Sequence, residues 1–250
     1  MKLLQSSHYP KIWRRKFTLN NGFEDISENI KRIRFNMEEA KVKAGRENDD
    51  IKIMAVTKTV PAERVNFAVS QGFELLGENR VQEFLSKKEQ YVKNAEINFI
   101  GHLQSNKIKY IIDSVTMIQS VDSTELAKEI SARAVKQGRV MDILCEVNIG
   151  GEASKSGFSP EALHDGISRI SELPGVRICG LMTIPPPSDS CFYFEKMQRL
   201  FEDLKAAPPK NSEITLLSMG MSADYTDAVK FGTGMVRLGS ALFGARNYSV

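Results

Sequence analysis

The chain has only three cysteines in 250 residues, Cys145, Cys179 and Cys191. An odd number at such spacings supplies no disulfide framework and no metal-binding pair. Cys145 and Cys179 stand inside apolar, strand-like runs. They read as small buried hydrophobes in a reducing compartment, so a cytoplasmic location is expected. Histidine is also scarce: His8, His102 and His164 are scattered, which argues against a zinc site. No apolar run approaches a membrane span, so no membrane partner is expected. The excess of positive charge is small, at +3, and it is local. Residues 1 to 23 carry Lys2, Lys11, Arg14, Arg15 and Lys16 and no acid. Removing these five from the 34 Lys and Arg leaves 29 basic against 31 acidic residues. That balance gives no case for nucleic-acid binding.

The basic arm, residues 1–22, lacks the apolar core of a secretory signal. It reads as a loosely ordered extension, with an organellar transit peptide as the alternative. The remainder, 23–250, is expected to form one unit with no second domain. A helix is expected from Phe23 to Gly45. Ile26, Ile30, Ile33 and Met37 recur there at spacings of three and four, and Gly45 can end it.

From residue 51 the pattern becomes regular. Strand-like runs are Ile51–Lys58, Glu74–Asn79, Ile97–Leu103, Thr116–Asp122, Met141–Ile149, Val176–Ile184, Glu213–Gly220 and Met235–Leu238. Helical patterns separate them. Pro61 opens one and Gly72 follows it. Ser123 and Ser159-Pro160 open two more, and the stretches 192–207 and 223–231 add others. Short strands that are apolar on both faces indicate a parallel sheet covered by helices. Eight strand–helix units close a (β/α)8 TIM barrel, here with an added N-terminal helix. A doubly wound open sheet is the competing architecture. It is disfavoured because no Gly-x-Gly-x-x-Gly follows the first strand.

Active sites of such barrels sit at the C-terminal strand ends. The first strand ends on Lys58, which standing alone is an ordinary solvated strand end. The seventh ends in "LSMGMS" and the eighth carries Arg237 and then Gly239-Ser240. Loops after strands seven and eight often cradle a phosphate on backbone N–H groups, and glycine lets the backbone approach an anion. An amine and a phosphate site on one face fit pyridoxal 5′-phosphate (PLP) held as a Schiff base. They equally fit a Schiff-base aldolase acting on a sugar phosphate. An inward Arg237 could face a ring nitrogen. Glu78 and Arg80 read as a surface pair of little energetic weight.

"AVTK", "GENRVQE", "FIGHLQSNK", "GLMTI", "LSMGMSADY" and "VRLGSALFGAR" resemble the pyridoxal phosphate homeostasis protein family. These are single barrels related to the N-terminal domain of alanine racemase. The resemblance covers residues 26 to 246. It implies an internal aldimine of PLP with Lys58 and Arg237 opposite the pyridine nitrogen. It implies Ser218, Ser222, Gly239 and Ser240 around the phosphate. Asn79 and His102 would line the pocket, with Met182 and Met219 as apolar walls. The loop "EASKSG", with Lys155, would lie over the cofactor. Thr57 and Ser240 exchange one hydroxyl residue for another relative to the common pattern, and Asn98 stands where an aromatic residue is frequent.

The implied function is a non-catalytic carrier that buffers or delivers PLP, with indirect effects on amino-acid and keto-acid metabolism. Apo PLP-dependent enzymes would be its acceptors, and a monomer is expected. The alternative is an amino-acid racemase without its second domain. Racemases need a second acid–base group across the ring. Tyr193, Tyr225 and Tyr248 read instead as surface or packing residues.

Overall fold

A computed structural model of the chain describes residues 22–245. The basic arm therefore lies, apart from Gly22, outside the described residues, as does Tyr248. Eight parallel strands close into a barrel in sequence order, each beside the next and β8 beside β1. They are β1 (Lys52–Val56), β2 (Leu75–Glu78), β3 (Glu96–Phe99), β4 (Met117–Val121), β5 (Met141–Val147), β6 (Val176–Thr183), β7 (Ser212–Met221) and β8 (Met235–Leu238).

The helices follow the expected order. They are α1 (Glu24–Lys43), α2 (Ala62–Ser70), α3 (Val81–Lys87), α4 (Ile108–Ile111), α5 (Thr124–Lys136), α6 (Pro160–Ile170), α7 (Ser190–Ala206), α8 (Tyr225–Lys230) and α9 (Ser240–Phe243). The start signals act as the sequence suggests. The Ser123 hydroxyl accepts the Leu126 N–H at 3.3 Å, and that of Ser159 accepts the Ala162 N–H at 3.2 Å. Two helices had no clear sequence pattern. α4 is a single turn and α3 is two, too short for an apolar period to register.

Apolar residues fill two layers. The larger core lies between the barrel and its helices and includes Ala55, Leu76, Phe99, Ile118 and Phe194. A smaller cluster fills the barrel itself, with Met54, Ile100, Leu144, Cys179, Met182, Leu216 and Met235. α1 buries the expected stripe of Ile26, Ile30, Ile33 and Met37. Each such side chain contributes about 1.5–3 kcal/mol on burial. Polar bonds fix where α1 sits. Asn29 donates to the Leu242 carbonyl of α9 at 2.9 Å, and Asn36 to the Tyr225 hydroxyl of α8 at 3.0 Å. Among the described residues no helix is long and apolar enough to cross a membrane.

Gly180 shows why the strand register shifts where it does. Its φ is +147°, and a Cβ there would stand 1.9 Å from the Leu216 carbonyl oxygen of β7. The β6–β7 pairing slips between Ile178 and Gly180. Gly180→Ala is expected to destabilise the barrel by roughly 3 kcal/mol, from backbone strain plus a backbone clash. Urea unfolding checks this; an unchanged midpoint would refute the close approach.

Candidate functional site

Lys58 follows the end of β1 in a turn that is gripped from behind. The Lys87 amine of α3 donates to the Thr57 carbonyl at 3.0 Å and the Val60 carbonyl at 3.3 Å. The Thr59 N–H donates to the Glu83 carboxylate at 2.6 Å. Thr59 itself is left-handed, with φ 63°, a conformation that a β-branched residue keeps only when its surroundings enforce it. The Thr57 hydroxyl donates to Glu78 at 2.7 Å, as does the Tyr91 hydroxyl at 2.6 Å. The backbone of the turn is thus fixed by α3 and β2. The Lys58 amine has no hydrogen-bond or ion-pair partner among the described residues and is half-buried.

Glu78 is a correction to the expected surface pair. It is fully buried in the outer layer, on the same strand face as Leu76. Burial pushes its carboxyl above the usual carboxylate range, against the hydroxyl bonds from Tyr91 and Thr57 that favour the charge. Burial, and then the charge of Glu78, push the Tyr91 phenol up in turn.

Arg237 points into the barrel at 3% exposure. One terminal nitrogen donates to the Ser218 carbonyl at 2.8 Å and to its hydroxyl at 2.7 Å; the other donates to the Thr183 carbonyl at 2.7 Å. The Ser218 hydroxyl donates to Gln119 at 2.8 Å, whose amide nitrogen donates to Asn98 at 2.8 Å. Asn98 donates in turn to Thr116 at 2.9 Å. A polar chain therefore runs through the barrel under its mouth. Asn98 has a use there that an aromatic residue could not serve. Burial pushes the Arg237 guanidinium down to about 10, with Glu146 and Asp224 opposing, so it stays charged at neutral pH.

The loops after β7 and β8 meet at Ser222. Its hydroxyl accepts the N–H groups of Gly239 at 3.2 Å and Ala241 at 3.0 Å. Gly239 backs onto the end of β1, where a Cβ would meet Val56 at 3.7 Å. This places the Gly239-Ser240 turn beside the strand that leads to Lys58.

Across the mouth, Asn79 carries a buried side-chain oxygen with no partner. Gly101 lets the segment after β3 pass close to it, since a Cβ at Gly101 would lie 2.1 Å from the Asn79 carbonyl oxygen. His102 is exposed on the rim. Its Nδ1 lies 3.3 Å from Asp122 and 3.3 Å from the Ser156 hydroxyl. Ser156 belongs to the loop 150–158. That loop is organised by Asn148, whose amide donates to the carbonyls of Glu152 at 2.9 Å and Lys155 at 3.1 Å. The Lys155 amine pairs with Glu152 and reaches the Ile184 carbonyl at 3.5 Å.

The structure thus gathers Lys58, Asn79, His102, Arg237, Ser222, Gly239 and Ser240 at or just below one barrel end. Met182 lies in the cluster inside the barrel. Ser218 stands beside Met182 in register and is tied to Arg237 and Gln119 below the Gly239-Ser240 turn, because strand alternation turns it inward. One expected residue stands elsewhere. Met219, the next residue, faces outward into the core under the helices.

Glu146 was not singled out in the sequence. It is half-buried in β5, paired in register with Met182. Burial, reinforced by the charge of Asp122 and opposed by Arg237, raises its carboxyl from 4.5 to about 7. The fold therefore keeps a proton that the unfolded chain has released between pH 4.5 and about 7. Stability is expected to fall as pH rises through that window. Glu146→Gln should flatten this part of the profile, as read from urea unfolding at pH 5 and pH 8. Parallel profiles for the two proteins would contradict it.

A cation inside an eight-stranded barrel, an amine at its rim and a glycine-serine turn beside it define an alanine racemase-type barrel. The alanine racemase N-terminal domain family matches residues 29–247. The chain belongs to the pyridoxal phosphate homeostasis protein branch of that family: over 234 residues it is 42% identical to the Aquifex aeolicus pyridoxal phosphate homeostasis protein, covering 91% of this chain and 100% of the relative. PipY of Synechococcus elongatus, solved with PLP bound, superposes with a TM-score of 0.74 at 29% identity, covering 88% of this chain and all of PipY. Alanine racemase of Clostridium difficile shares the fold, with a TM-score of 0.71 at 20% identity over 90% of this chain and 57% of the racemase.

Proposed function

We propose that this protein binds PLP as a Schiff base on Lys58 and serves intracellular PLP homeostasis by buffering or delivering the cofactor. The observation that carries the reading is the unpartnered Lys58 amine on a turn fixed by Lys87, Glu83 and Glu78. Such an amine is presented to a ligand and costs no broken bond to use. The names of the relatives and the PLP bound to PipY support the cofactor's identity.

The residues fit that group. The Asn79 side-chain oxygen is buried without a partner, which is costly unless a ligand fills the mouth. Ser222, Gly239 and Ser240 offer hydroxyl and backbone groups for a phosphate. Arg237 would face the pyridine nitrogen, Met182 would form the apolar floor, and His102 would stand at the rim. When bound, PLP supplies an aldehyde. The Lys58 amine would hold it by condensation with loss of one water, a link that hydrolysis would release. Reversibility is what a carrier requires. Monomeric protein, with apo PLP-dependent enzymes as acceptors, completes this reading.

Arg237 also supports the carrier reading, although two-base racemases with an arginine at the ring nitrogen do work. A guanidinium that stays charged at neutral pH disfavours protonation of a neighbouring pyridine nitrogen. An unprotonated ring is a poor electron sink, so the site is suited to holding PLP more than to stabilising carbanions. Among the described tyrosines, Tyr225 is buried and bonded to Asn36, Tyr91 is bonded to Glu78, Tyr193 packs edge-on against Phe192, and Tyr110 is exposed under the Lys109 amine. The test is an absorbance spectrum of protein mixed with PLP. An imine band at about 420 nm is expected, without racemisation of any amino acid. No band at saturating PLP would sink the reading, and steady racemisation would move it to the enzyme.

A further inference from the structure

The two most exposed large apolar side chains among the described residues lie on one helix. Phe35 is 62% exposed and Val42 is 59% exposed, and both belong to α1. They are seven residues apart, two turns of helix, so they share the outward face, opposite the stripe that α1 buries. That face is also acidic. At about 100° per residue, Glu24, Glu28, Glu38 and Glu39 fall within about 60° of Phe35, against Lys31 and, at the edge, Arg32. All six are exposed. Three of the acids meet lysines one turn away: Glu28 with Lys31 at 2.7 Å, Glu38 with Lys41 at 3.8 Å and Glu39 with Lys43 at 3.3 Å. Surface pairs of this kind are weak and do not bar another cation. Glu24 accepts the Gly22 N–H at 2.9 Å, so the chain enters α1 at the head of this same face.

The occupant of such a face is limited by its size and charge. Two apolar side chains bury far less than the roughly 800 Å² per partner of a stable interface between copies, and two acidic faces repel. An anionic lipid surface or a nucleic acid is repelled as well. A short basic segment with aromatic residues fits. If it is tethered, a small contact suffices, because its effective concentration is about millimolar. Residues 1–21 have this composition. They carry Lys2, Lys11, Arg14, Arg15 and Lys16, no acid, and the aromatic residues Tyr9, Trp13 and Phe17. The reach is ample. Trp13 stands nine residues before Gly22, up to about 30 Å of chain. Phe35 stands eleven residues beyond Glu24, about 17 Å of helix.

We propose that the basic arm docks back along α1, with Trp13 and the cations of Arg14, Arg15 and Lys16 on the acidic and apolar face around Phe35. The other sides of this helix brace the loop helices, through Asn29 to Leu242 of α9 and Asn36 to Tyr225 of α8. A docked arm therefore tightens the hold on α1. The inference is independent of the cofactor reading.

Trp13 is the only tryptophan, so fluorescence of the full chain reports the arm alone. Emission of the folded wild type should be blue-shifted from that of the urea-unfolded protein, and acrylamide quenching severalfold weaker. Phe35→Asp should move the docking equilibrium about tenfold toward the open form, the worth of partly burying one phenyl ring. Emission and quenching should follow it toward the unfolded values. Reversing the charge with Glu28→Lys and Glu39→Lys together should act in the same direction. Val135→Asp, at an exposed position of α5, should leave both signals unchanged. All these positions are exposed, so circular dichroism should match in every variant. Wild-type emission equal to that of the unfolded protein overturns the proposal. A blue shift that survives either Phe35→Asp or the charge reversal places Trp13 on another surface and overturns it too. A blue shift that fades on dilution means docking on a second copy, which overturns the intramolecular contact.

Discussion

Lys58→Ala protein is expected to stay folded and to form no imine with PLP, with affinity reduced on the order of a hundredfold or more. The two halves of that result have separate causes. The Lys58 side chain makes no bond among the described residues, so its loss removes no stabilising contact. The turn beneath it is held by Lys87, Glu83 and Glu78, which remain. The proposed covalent link, however, needs the Lys58 amine. Without it, binding would rest on the Gly239-Ser240 turn and the mouth alone. Titration at 420 nm and a thermal melt, run on the same sample, check both halves. An undiminished band in Lys58→Ala would assign the chemistry to another amine.

Arg237→Ala should act in the opposite way, through the fold. Removing the guanidinium leaves the Ser218 carbonyl and hydroxyl and the Thr183 carbonyl without their donor, all in a buried site. Unsatisfied buried acceptors and the vacated volume together should cost roughly 3–5 kcal/mol. Glu146 would also lose the one cation that opposes its burial, so its carboxyl should rise further above 7. Arg237→Lys keeps the charge and loses the fork, and should recover only part of the stability. Urea midpoints order the three proteins. A fully stable Arg237→Ala would mean that the polar chain through the barrel is not what holds β6, β7 and β8 in place.

Much of this was legible beforehand, for identifiable reasons. Eight apolar runs with helical patterns between them specify a closed barrel, and Pro160 after Ser159 marks a helix start by local chemistry alone. Lys58 gained meaning only when the barrel put it on the face of the Gly239-Ser240 turn. Other residues were misplaced because their fate depends on alternation or on distant partners. Glu78 shares a strand face with the buried Leu76, a signal that was present and outweighed by its charge. Glu146 sits within an apolar run, where an acid is itself the signal. Ser218 could not have been placed locally, since its partners Gln119 and Arg237 lie on other strands. Gln119 and Thr183 escaped notice for the same reason.

The central claim is a reversible bond between the Lys58 amine and the aldehyde of PLP. Reduction of the PLP-loaded protein with borohydride makes that bond permanent. Digestion and mass spectrometry then locate it. The account predicts one phosphopyridoxyl group, on the peptide that carries Lys58. Modification confined to another lysine, such as Lys155 in the loop above the mouth, or no modification at all, would contradict it.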